Sequence, residues 1–108
     1  MDAVLDRSEW PARLAEFTHQ NVGRPSRLEI DDPQLGAQPA EDGLPLRGVT
    51  YDPADDRVEI MLGGHGSGAG HLTHSVAHPD RLDLASSDPR HAALRITHGT
   101  GQTLLTVG

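Results

Sequence analysis

Apolar positions recur along the chain with two different periods. Near the start Trp10, Leu14 and Phe17 fall at i, i+4 and i+7, with Arg13, Glu16 and His19 turned elsewhere, the single stripe of an amphipathic helix. Ser8 is the expected N-cap, Glu9 complements the helix dipole, and Pro11 sits in the first turn, where a missing N–H is harmless. The helix is expected to stop at Asn21-Val22-Gly23, since glycine readily takes the left-handed conformation of a C-terminal cap.

From Arg24 the period becomes two. Leu28 and Ile30 alternate with Arg27, Glu29 and Asp31, the pattern of a half-buried strand. Residues 32–45 hold three prolines and two glycines and read as a loop. A strand from Leu46 to Tyr51, a turn at Asp52-Pro53-Ala54-Asp55-Asp56, and the alternating Val58, Ile60 and Leu62 form a hairpin. Residues 63–70 carry five glycines in eight positions and read as a flexible connection. His71 to His78 is expected to be extended, with Leu72, His74 and Val76 on one face; Leu82 and Leu84 make a short strand before a Ser86-Ser87-Asp88-Pro89 turn. Leu94 and Ile96, the tight Gly99-Thr100-Gly101, and Leu105 and Val107 complete a second hairpin.

The expected fold is α+β, one N-terminal helix packed on an antiparallel sheet of about six strands, in a single domain over residues 1–108. One helix covers one face of such a sheet. The other face is then solvated or buried against a second copy, so a homodimer is a natural hypothesis.

Composition narrows the chemistry. The 108 residues include nine Arg, no Lys and 16 acidic side chains, for a net charge of −7. Without Lys there is no Schiff base and no P-loop lysine; without Cys there is no thiol nucleophile, disulfide or thiolate cluster. The negative balance opposes binding to nucleic acid or to an anionic membrane. With no long apolar run and no basic, apolar leader at the start of the chain, the expected location is the cytoplasm.

Histidine is the exception to this plain composition. Of seven, His65, His71, His74 and His78 fall within fourteen positions, and imidazole is the commonest ligand of zinc, nickel and copper. On a helix His71, His74 and His78 would share a face; on a strand His71 and His74 point apart, and the α-carbons of His74 and His78 stand roughly 13 Å apart. Thr73, Val76 and the flanking glycines favour the strand, so the residues to which a metal would be assigned read instead as a His-rich surface strand. His74, on the inner face, reads as a half-buried, hydrogen-bonded histidine.

Other motifs fail on context. Gly64-x-Gly66-x-x-Ala69 suggests a dinucleotide fingerprint, but Pro79 leaves no room for its helix. Ser67 lacks glycines two positions away on each side, as a nucleophile elbow requires. Asp31-Asp32 and Asp55-Asp56 read as solvated turn residues. Trp10, Phe17 and Tyr51 are the whole aromatic complement and read as the centre of a lean core. No cofactor is implied.

Trp10…Phe17…Asn21-x-Gly23-Arg24, Leu28-Glu29-Ile30, Leu44-Pro45-Leu46-x-Gly48-Val49-x-Tyr51-Asp52, His71-Leu72-Thr73-His74 and Ala93-Leu94-x-Ile96 with Thr103-Leu104-Leu105 resemble the small prokaryotic proteins of domain of unknown function 5335, over roughly residues 8–107. The resemblance implies one domain and no activity. Two functions follow: a non-catalytic binding module that offers a sheet face or edge strand to itself or to another protein, or a metal- or His-dependent enzyme built on His74 and the glycine-rich loop 63–70.

Overall fold

The computed structural model describes residues 2–32, 36–64, 70–88 and 91–108. A short strand β1 (Asp2–Val4) leads through a 3-10 turn (Arg7–Glu9) into α1 (Trp10–Asn21). Seven strands follow: β2 (Pro25–Asp32), β3 (Gly36–Asp52), β4 (Arg57–Gly63), β5 (His71–Ala77), β6 (Arg81–Asp88), β7 (His91–His98) and β8 (Gly101–Val107). All strand pairs are antiparallel, so the architecture is the α+β one that the periodicity predicts, with eight strands rather than about six.

Strand order is β1-β6-β7-β8-β2-β3-β4-β5. In a flat sheet β5 and β6 would stand six strand spacings apart, roughly 29 Å. Only His78, Pro79 and Asp80 join them, a link that reaches about 14 Å at most. The sheet therefore folds over on itself. The hinge is β3, whose first part pairs with β2 as far as Pro45 and whose second part pairs with β4 from Leu46 onward. Gly43 at φ 102° and a bulge between Leu46 and Gly48 make the bend.

The folded sheet supplies the cover that the sequence assigned to the helix alone. Leu28, Leu82, Leu94, Ile96 and Leu105 from one layer meet Leu46, Val49, Val58, Ile60 and Leu62 from the other. Trp10, Leu14 and Phe17 enter the same core at 2%, 0% and 4% exposure, as their spacing predicts.

Helix α1 runs beside the second part of β3, where β2 no longer provides a neighbour. Thr18 Oγ accepts from the Val49 N–H at 2.9 Å and donates to the Val49 carbonyl at 3.1 Å, taking the place of a strand residue. Gly23 N–H donates to Leu46 O and Leu46 N–H to Arg24 O, which closes the rest of that edge. Gly23 sits at φ 85°, the left-handed geometry expected of it.

Three local expectations are corrected. Ser8 does not cap α1: it lies within the 3-10 turn, the N-cap position is Glu9, and no side chain caps there. Of residues 32–45, read as loop, 36–45 are strand; their prolines are tolerated because β4 pairs with β3 only from Leu46, which among the described residues leaves this stretch a free side that needs no N–H. The strand read as ending near Leu84 continues to Asp88, so Ser86, Ser87 and Asp88, read as part of a turn, belong to β6, while Pro89 lies outside the described residues.

Candidate functional site

Strand β5 carries two of the four histidines that the sequence singles out, His71 and His74. Its burial alternates, with His71, Thr73, Ser75 and Ala77 exposed and Leu72, His74 and Val76 turned inward. His71 and His74 therefore point to opposite faces. The His71 ring meets the Arg47 guanidinium, Nδ1 to Nη1 at 3.2 Å, so this nitrogen is the acceptor. His74 is half-buried; burial, and then the charge of nearby His98, hold its imidazole below the usual histidine range. His98 in turn reaches toward the buried Thr103 hydroxyl, Nε2 to Oγ1 at 3.4 Å. His78 lies past the strand, and among the described residues no three His, Asp or Glu side chains gather where one ion would be held. His65 and Ser67 lie outside the described residues, as does most of the loop between β4 and β5.

The densest polar cluster forms where the sequence reading saw only a solvated turn. Asp56 is its hub. The Tyr51 hydroxyl donates to Asp56 Oδ1 at 2.7 Å, Arg7 Nη1 donates to the same oxygen at 3.2 Å, and His78 Nδ1 lies 3.3 Å from Oδ2. Arg7 Nη2 also donates to the Pro79 carbonyl at 2.8 Å, while its guanidinium stacks 4.2 Å from the Trp10 ring centroid. Trp10 packs edge-on to Tyr51 at 5.1 Å and donates its indole N–H to Leu5 O. The Tyr51 hydrogen bond is the main cause holding the Asp56 carboxyl below the usual range, and the same bond pushes the Tyr51 phenol up.

Two residues of this cluster, Asp56 and His78, sit at φ 49° and 53°, a left-handed conformation in which Asp and His are the tolerated non-glycine types. They form the pair that ends the β4–β5 ladder, the His78 N–H donating to Asp56 O at 2.8 Å. An Asp–His pair is general-base chemistry in form. Here the imidazole is 81% exposed and faces water rather than a cleft. What the arrangement does is mechanical: Arg7, Asp56 and His78 bind the N-terminal turn, the β3–β4 turn and the β5–β6 link together. The sequence held one signal for it, a tyrosine five residues before an aspartate across a hairpin turn.

A groove of about 300 Å³ runs between α1 and β6–β7, lined by Arg13, Glu16, Phe17, Leu84 and Ala92 among others; no histidine lines it.

The remaining feature is the edge of β5. His78 N–H donates to Asp56 O, and Gly64 N–H to Gly70 O, which fixes the phase of the ladder. Even-numbered residues of β5 therefore turn their N–H and C=O groups toward β4, and odd-numbered residues turn theirs outward. Among the described residues β5 has no second neighbour strand.

Comparison with known proteins found one family. The model of DUF5335, described as a family of unknown function, matches residues 1–107. No curated protein and no solved structure matches the chain.

Proposed function

The chain belongs to the DUF5335 family, a family of unknown function, and we propose that it is a non-catalytic interaction module that receives an extended protein strand along the outer edge of β5. The observation that carries this reading is the contrast among the sheet's edges. β1 is three residues long, the first part of β3 carries Pro39 and Pro45, which lack an N–H, together with Asp42, and the second part of β3 is closed by Thr18. Each has a recognised guard against pairing. β5 has none: its seven residues, HLTHSVA, include no Pro, Lys, Arg, Asp or Glu, and its register against β4 runs without a bulge.

The outer face of the larger layer supports the same reading by its character. Arg27 and Arg95 are exposed there, and Glu29 and Asp31 partly so, a face made for water rather than for a dry interface. A strand added to β5 would gain main-chain hydrogen bonds and would cover Leu72, which one copy leaves half-buried.

The test is photo-crosslinking in cells that make the protein, with the crosslinker placed at Thr73, at Ser75 or, as a control, at Arg95. Adducts to protein from positions 73 and 75 and none from 95 are expected. Adducts from 95 alone would move the contact to the sheet face and refute the edge reading.

A further inference from the structure

The phase of β5 also says which strand fits it. Resting on the reading of β5 as a strand-accepting edge, we propose that the strand it receives is β5 of a second copy, antiparallel and centred on His74. Four residues present outward N–H and C=O groups: His71, Thr73, Ser75 and Ala77. Antiparallel pairing about His74 sets Thr73 against the partner's Ser75, and His71 against the partner's Ala77. These are hydrogen-bonded pairs, and every outward donor and acceptor on both strands is satisfied. A shift of one residue in the pairing sum would set outward groups against inward ones; a shift of two would leave an outward residue unmatched.

The side chains agree with that register. On the exposed face Thr73 meets the partner's Ser75, a hydroxyl pair of the kind that stabilises antiparallel neighbours. On the inner face the half-buried Leu72 meets the partner's buried Val76, so each core extends into the other. His74 meets its own counterpart on the twofold axis. Burial disfavours the charged form of that imidazole, so the meeting does not favour a pair of like charges. The strand has no fixed charge to oppose its copy. The three-stranded layer β3-β4-β5 becomes a continuous six-stranded one, which is closed and isologous and leaves no further edge to propagate.

Sedimentation velocity of the full chain, from micromolar to millimolar concentration, tests this. The wild type is expected to pass from monomer to dimer. Thr73→Pro deletes an outward N–H and no bond to β4, so it is expected to keep the thermal transition of the wild type and to remain monomeric. A second set stays informative if that variant does not fold. Thr73→Lys with Ser75→Lys, and Thr73→Glu with Ser75→Glu, each place like charges opposite one another in the dimer; each alone is expected to be monomeric, and the two mixed to form a heterodimer. A wild type that is monomeric at millimolar concentration, or a Lys variant that dimerises as the wild type does, overturns the proposal. The crosslinking result decides the edge reading separately, since adducts from positions 73 and 75 to another protein would leave that reading standing beside a monomeric wild type.

Discussion

Asp56 shows how much one side chain at a turn can organise. Its carboxylate is bound by Tyr51, Arg7 and His78, and its folded-state pKa is depressed below the ordinary 3.8. Between those two values the unfolded chain binds more protons than the folded one, so stability rises with pH through that window and is lost as pH falls through the folded value. His74 has the same sign at higher pH, its folded value lying below the ordinary 6.5, so its neutral form favours the fold. We therefore expect the melting temperature to begin falling as pH drops below about 6.5, and to fall again below about 3.8. His74→Leu should remove the first decline and Asp56→Asn the second; calorimetric melts of the three proteins from pH 3 to 7 check this, and identical profiles would contradict it. Trp10 is the other decisive residue. At 2% exposure, with Tyr51 edge-on and Arg7 stacked on it, Trp10→Ala should cost about 3–5 kcal/mol in denaturant unfolding.

At the level of elements, the helix does two jobs that the sequence shows unequally. Its apolar stripe was legible, because Trp10, Leu14 and Phe17 share one face at the helical period. Its second job, sealing the edge of β3 through Thr18, left no periodic signal. A threonine on a helix flank looks the same whether it meets water or a strand. Thr18→Val keeps the shape and leaves the Val49 N–H and C=O without their partner, for an expected loss of about 1–3 kcal/mol by urea unfolding. A loss within 0.3 kcal/mol or so would show that water replaces the hydroxyl. The strands of period two were equally legible, and so was the inward turn of His74 between Leu72 and Val76. Residues 36–45 were not, because proline and glycine content marks a loop unless the strand has a free side, and that side is set by where β4 begins to pair. The Asp56 cluster was hidden for a similar reason: Arg7 and His78 meet it across 49 and 22 residues of chain. Gly63, at φ 148°, is a further tertiary constraint. A Cβ there would stand 2.6 Å from the Gly70 carbonyl and from the His71 ring, so Gly63→Ala should lower the melting temperature and disturb the start of β5.

Taken as a whole, the molecule is a sheet folded at β3 and held shut by a helix along one edge and a charged clasp at the β5–β6 link. Among the described residues no helix is long and apolar enough to cross a membrane, and three of the four strand edges carry a guard. Function on this account rests on the fourth. Hydrogen exchange read residue by residue along β5, in a sample dilute enough to be monomeric, tests that most directly. The amides of Thr73 and Ser75 should exchange far faster than those of Leu72, His74 and Val76, which donate to β4. Uniformly slow exchange from 72 to 76 would mean that the chain covers this edge itself, and β5 would then have nothing to offer a partner.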